Sequence, residues 1–272
     1  MADVPTVLLN NGVHMPQVGF GTSQIRDHDA AEVVGQALEV GYRSIDTAAI
    51  FGNEKGVGEA LKRSGIPRHE LFVTTKLWNT AHGYEPALKA FDESLRRLGL
   101  EYIDLYLVHW PAPARGEYVH TWKALEKIAA DGRARAVGVS NFQIPHLRRL
   151  SEETSTVPAV NQIELHPMLV QSNLRAYHSE HGIITEAWSP LARGQAIAND
   201  EIRFMAQKYG KTPAQIILRW HLELRHVVIP KSVGRMRENL DIFDFELDED
   251  DVHALSDLHD DTRVGPHPDN FS

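Results

Sequence analysis

From Val18 onward the chain alternates short β-type runs with longer stretches of helical period, and it does so eight times. The runs cover residues 18–21, 44–46, 71–76, 103–109, 134–139, 159–164, 183–188 and 227–230. Between them, segments such as 30–40, 85–98 and 118–130 place apolar residues three or four apart with charges elsewhere, the signature of helices that bury one face. Strict strand–helix alternation implies parallel strands joined by right-handed crossovers, so both faces of each strand are covered. Eight such units predict a closed (β/α)8 TIM barrel; an open doubly wound sheet, the runner-up, is normally complete with six. The long gap before the last run holds two helices, 200–209 and 212–224, the second opened by a Thr212 cap with Pro213 in its first turn. Ahead of the alternation, Asn10-Asn11-Gly12 sits between two apolar runs and predicts a β-hairpin, expected to close the bottom of the barrel. No linker, low-complexity segment or repeat divides the chain, so residues 1–272 are expected to form a single barrel domain.

In a barrel of this kind chemistry gathers at the C-terminal ends of the strands, and those ends are unusually polar here. They offer Asp46, Lys76, His109, Ser140 with Asn141, Gln162, and Trp188 with Ser189. Asp46 closes its run just before a small-residue turn and a helix that opens at Asn53 and Glu54; alone, it could simply cap that turn. A lysine ending an apolar strand must reach water or find a carboxylate, and Asp46 is its natural partner. His109 alone would be read as a histidine satisfied by nearby backbone. Together with Trp78, Trp110 and Trp188, these groups suggest an apolar pocket with a few convergent polar atoms.

The formal net charge of −9 argues against a general nucleic-acid binder. Against that background Lys231, Arg235 and Arg237, beside Ser232, form a local cluster suited either to a phosphate dianion or to an ordinary solvated surface. No apolar run approaches the roughly 18 residues of a membrane span, and Met1-Ala2-Asp3-Val4-Pro5 lacks the features of a secretory leader. The absence of cysteine excludes disulfides and is compatible with a cytoplasmic protein. Fifteen histidines include no His-Glu-x-x-His spacing, and no metal site is expected. Gly56-Val57-Gly58 lies within a helix rather than after a strand, so it is expected to serve helix packing rather than dinucleotide binding.

Several motifs in order resemble the aldo-keto reductases: Asp46-Thr47-Ala48 with Gly52-Asn53-Glu54, Thr75-Lys76-Leu77-Trp78, Val108-His109-Trp110-Pro111, Gly138-Val139-Ser140-Asn141-Phe142, Asn161-Gln162-Ile163-Glu164-Leu165-His166-Pro167, and Ile229-Pro230-Lys231-Ser232-Val233. The short loop after His109-Trp110-Pro111, Trp188, and the tail Val264-Gly265-Pro266-His267 resemble the bacterial 2,5-diketo-D-gluconate reductases in particular. The resemblance implies a monomeric enzyme that reduces a small carbonyl substrate with NADPH, using neither a metal nor a Gly-rich Rossmann loop. It implies that Asp46, Lys76 and His109 belong to a catalytic set with position 51. It further implies that Gly21 and Thr22 bind the NADP(H) cofactor, that Ser140, Asn141 and Gln162 hold its nicotinamide carboxamide, and that Trp188 stacks on the ring. Ser189, Pro190 and Leu191 would form the pyrophosphate loop; Lys231, Ser232, Val233, Arg235, Glu238 and Asn239 would hold the adenosine 2′-phosphate and adenine. Trp78, Trp110 and His267 would line the substrate pocket.

One position departs from the pattern. The family's motif carries a tyrosine, the general acid, where this chain has Phe51. Loss of a general acid slows reduction by roughly 10²- to 10⁴-fold, about 3 to 5 kcal/mol in barrier. Four consequences stand open at this stage: proton supply through His109, directly or by way of a water; a C=N substrate that arrives as an iminium and needs only hydride; a chain inactivated by replacement of its tyrosine; and an NADPH-binding barrel without catalysis.

Overall fold

The computed structural model describes residues 4–271, so the Met1-Ala2-Asp3 part of the segment inspected for a leader lies outside the described residues. Eight strands run in parallel and in chain order around the centre: β3 (Phe20–Gly21), β4 (Ser44–Asp46), β5 (Phe72–Leu77), β6 (Ile103–Val108), β7 (Ala134–Ser140), β8 (Val160–Glu164), β9 (Ile184–Trp188) and β10 (Val227–Val228). They follow the hairpin of β1 (Thr6–Leu8) and β2 (His14–Pro16). A parallel bridge between Val18 and Val228 joins the two ends of the sheet. The Gly19 amide donates to the Val228 carbonyl at 2.8 Å and the Gly21 amide to that of Pro230 at 3.2 Å. These bonds close the ring and decide for the barrel over the open sheet. The closing strands β3 and β10 are shorter than the runs 18–21 and 227–230, because the seam is held by these separate bonds rather than by a continuous ladder.

The outer layer contains α1 (Asp27–Val40), α2 (Glu54–Arg63), α3 (Tyr84–Leu98), α4 (Tyr118–Ala130), α5 (Ile144–Glu153), α6 (Ser172–His181), α7 (Asp200–Tyr209), α8 (Pro213–Glu223), α9 (Met236–Leu240) and α10 (Glu249–Ser256). In α3 the buried positions Ala87, Phe91, Ser94 and Leu98 recur every three or four residues, which turns one stripe toward the sheet. At the start of α8 the Thr212 hydroxyl accepts from the Gln215 amide while the Gln215 side chain answers the Thr212 amide, so two otherwise orphaned donors are satisfied. Gly56 and Gly58 pack helices as expected: a Cβ at Gly58 would stand 2.2 Å from the Leu98 carbonyl oxygen, and one at Gly56 2.3 Å from that of Asp27.

The hairpin plugs the end of the barrel where the strands begin. Its Leu9 and Met15 are buried among Phe72, Leu105, Ala136, Ala159 and Val227. At the other end the ring stays open. There the alternation of side chains fixes what faces inward: Asn161 and Thr185 point out and bond His178 of α6, so their neighbours Gln162 and Glu186 point into the barrel.

Candidate active site

Asp46 and Lys76, on adjacent strands, meet inside the open end. The Lys76 Nζ donates to Asp46 Oδ1 at 2.6 Å and to the Thr47 carbonyl at 3.0 Å, and both residues are almost wholly buried. The second Asp46 oxygen accepts from Gln162 Nε2 at 2.8 Å. Thr22 steadies the end of β4 by donating both its amide and its hydroxyl to the Asp46 carbonyl, each at 3.0 Å. Asn53 precedes α2 but does not cap it with its side chain. Its amide is spent on Thr22 and Ile25 carbonyls and its oxygen accepts from the Thr47 hydroxyl, which ties together the loops around Asp46.

Phe51 ends a short 3₁₀ turn and lays its ring near this ion pair, with Lys76 Nζ 5.3 Å from the ring centroid. The His109 ring stands edge-on to Phe51 at 5.8 Å and to Trp78 at 5.2 Å. Burial, reinforced by the Lys76 charge, holds its pKa well below the usual histidine range, so the imidazole is neutral at pH 7. Its Nδ1 is buried without a partner, which leaves Nε2 as the nitrogen available to the cavity. Phe271, from the C-terminal tail, packs on Trp110 at 4.4 Å and Trp78 at 6.0 Å and extends an aromatic wall over the opening.

Beside this wall, Asn141 is fully engaged. It donates to the His109 carbonyl and to Ser140 Oγ, and its oxygen accepts from the Trp188 indole N–H at 2.8 Å, which fixes the plane of that ring. Gln162 donates to two carboxyl groups, those of Asp46 and Glu186, and among the described residues its amide oxygen has no partner. Asn141 itself sits at φ 63°, a left-handed conformation that asparagine tolerates better than most side chains.

These residues border a cavity of about 580 Å³. Of the positions singled out from the sequence, its wall includes Gly21, Asp46, Phe51, Lys76, His109, Trp110, Ser140, Asn141, Gln162 and Trp188. The loop residues Ser189, Pro190 and Leu191 and the later residues Lys231, Ser232, Arg235 and Asn239 continue it outward. Other residues stand elsewhere. Thr22 supports Asp46 from behind, Trp78 backs His109, Val233 is half exposed, and Glu238 accepts from the Thr212 hydroxyl. His267 caps the tail turn Pro268–Asn270, and its neighbour Pro266 is the residue on the wall. Arg235 rather than Arg237 faces the cavity, because Arg237 lies within α9 while Arg235 precedes it.

Three contributors lie outside the site positions singled out from the sequence. Arg193 reaches the outer wall from a loop with successive left-handed residues at Ala192 and Arg193. Glu164 accepts from the Val264 and Gly265 amides at 2.6 and 3.0 Å, so it anchors the tail that delivers Phe271. Glu186 is a carboxyl sealed inside the barrel.

The chain is similar over its whole length to known proteins. The family model described as "Aldo/keto reductase family" matches residues 17–260. Methylglyoxal reductase DkgA of Escherichia coli K12 is 50% identical over 275 residues, covering 100% of this chain and 99% of that protein. Glyoxal reductase of Bacillus subtilis 168 is 51% identical over 269 residues, covering 98% and 97%. A variant of Gox0644, solved in complex with NADPH, superposes with a TM-score of 0.96 at 44% identity over 100% of both chains.

Proposed function

The chain belongs to the aldo/keto reductase family and is an NADP-dependent oxidoreductase, and from that premise we propose that it reduces small, electronically activated carbonyls, 2-oxoaldehydes of the glyoxal type first among them. The observation that carries this reading is the Asp46–Lys76 pair beneath a phenyl ring, with a neutral imidazole facing the same cavity. Diketo-sugar acids carry the same activated carbonyl and fall within the class.

The residues fit NADPH at both ends of the cavity. At the inner end the free Gln162 oxygen is an acceptor suited to a carboxamide N–H, beside an indole plane already fixed by Asn141. At the outer end Lys231, Arg235 and Arg193 gather positive charge within an acidic chain, and the buried Asn239 Oδ1 lacks a partner among the described residues. That set suits a phosphate dianion and an adjacent amino group. When bound, NADPH supplies the hydride.

The chain's own residues then have a restricted task. Phe51 has no proton to give. A neutral imidazole is a far weaker acid than imidazolium; it donates a hydrogen bond through Nε2 and so stabilises the negative charge that develops on the substrate oxygen. Water relays a proton from bulk solvent to complete the alcohol. A second carbonyl next to the reacting one draws electron density from the alkoxide, so activated substrates depend least on the missing phenol. Relatives named for glyoxal and methylglyoxal reduction support the same class. The test is NADPH oxidation with methylglyoxal against acetone: methylglyoxal should be turned over and acetone barely, and comparable rates for the two would refute the proposal.

One observation favours a second reading. Phe51, Trp110 and Phe271 form aromatic walls able to stabilise a cation by cation–π contact. A cyclic iminium would bring its own positive charge and would need no acid. Turnover of a cyclic imine in preference to methylglyoxal would establish it.

A further inference from the structure

The geometry points to Glu186 as a protonated interior acid whose ionisation, relayed through Gln162, shifts the binding preference of the site from NADPH toward NADP⁺. This inference rests on the proposed use of NADP(H). It adds a positioning residue that touches neither substrate nor cofactor.

Four observations converge on it. First, Glu186 is wholly buried on β9 and faces the barrel interior. Second, among the described residues only one of its oxygens has a partner: Oε2 accepts from Gln162 Nε2 at 2.9 Å, while Oε1 has none. A buried carboxylate with one of its two oxygens left unpaired is far costlier than a neutral carboxyl group in the same place. Third, the cation that could neutralise it is already committed, since Lys76 bonds Asp46 and the Thr47 carbonyl. Fourth, the same Gln162 nitrogen spans both acids, at 2.8 Å to Asp46 and 2.9 Å to Glu186.

The groups that reach Glu186 are few. Gln162 approaches from β8, while Asp46 on β4 and Lys76 on β5 act through their charges. Its register partner on β10 is the apolar Val227. Burial first, and the Asp46 charge second, push its pKa up from the ordinary 4.5 to about 8. Below that pH the inner cluster holds one cation and one anion. Above it the cluster holds one cation and two anions, directly behind the amide whose free oxygen faces the nicotinamide pocket.

The two redox forms of the cofactor differ by one positive charge on the nicotinamide ring. An added buried anion therefore favours the oxidised form, and by linkage the oxidised form favours the anion. Their phosphate groups are identical, so the contribution of Lys231 and Arg235 cancels in a ratio of the two affinities.

The experiment follows quenching of intrinsic tryptophan fluorescence by NADP⁺ and by NADPH from pH 6 to 9.5, in the wild type and in Glu186→Gln. The wild-type ratio Kd(NADP⁺)/Kd(NADPH) should fall by about 5-fold or more as the pH rises, and the ratio for Glu186→Gln should stay flat. A wild-type ratio that is independent of pH, or a variant that retains the wild-type dependence, overturns the inference. Infrared titration of the cofactor-free wild type reads the acid directly and requires no variant to fold. Loss of a protonated-carboxyl band between pH 6 and 9.5 supports the inference, and absence of the band at pH 6 overturns it. If neither cofactor binds, the functional reading fails and the cofactor half of this inference with it, whereas the infrared result still decides whether Glu186 is protonated.

Discussion

The ammonium nitrogen of Lys76 lies 5.3 Å from the centroid of the Phe51 ring, over a face where a hydroxyl-bearing ring would have supplied an acid. The lysine keeps its carboxylate partner and its buried position, so the apparatus that would lower the pKa of a phenol is intact while the phenol is absent.

Restoring the hydroxyl is therefore the most informative single change. Phe51→Tyr is expected to raise kcat/KM for an unactivated ketone by roughly 10²-fold, and to raise that for methylglyoxal much less. Steady-state rates on both substrates give the comparison. If the ketone gains nothing, the His109 hydrogen bond and a proton relayed by water already meet the need for an acid at this site.

Lys76→Met should be strongly destabilising. It leaves Asp46 as an uncompensated buried carboxylate, a loss of about 3 to 5 kcal/mol, with the lower end favoured because Gln162 still donates to it. Urea unfolding measures the change, and an unaltered midpoint with an unaltered slope would contradict it.

The basic residues at the outer end should govern the choice of cofactor. Replacing Lys231 and Arg235 together by alanine is expected to weaken NADPH by roughly 10-fold or more while leaving NADH nearly untouched, since only NADPH carries the extra phosphate. Parallel fluorescence titrations test this. Equal losses for both cofactors would assign the residues to general electrostatics.

Acid should unfold the protein through its buried histidines. Burial lowers the pKa of His178 and of His221 to about 3, against 6.5 for an exposed histidine. The unfolded chain then binds protons that the folded chain refuses, so stability is intact above pH 6.5 and is lost as the pH falls below it. Each of the two contributes a loss of about 2 kcal/mol between pH 7 and pH 5. Urea unfolding at the two pH values should show it, and His178→Gln should remove one share. Equal stability at pH 7 and pH 5 would mean that the folded protein protonates these histidines as readily as the unfolded chain does.

Much of this protein is written locally. Strand–helix alternation, the Thr212 cap and the Asn11-Gly12 turn act over a few residues, so the barrel, its helices and its hairpin follow from spacing and backbone preference. The polar strand ends were legible for a related reason: parallel strands in chain order bring Asp46, Lys76, His109, Ser140, Asn141, Gln162 and Trp188 to one rim, and their motifs occur in the same order. What depended on tertiary structure was each contact between elements distant in sequence. Whether Arg235 or Arg237 faces the cavity turned on where α9 begins. The arrival of Phe271 on Trp110 required Glu164, about a hundred residues earlier, to hold the tail by two backbone amides. Nothing local distinguishes Glu186 within its strand; only a closed barrel, with water excluded and Lys76 already engaged, makes its charge expensive enough to matter.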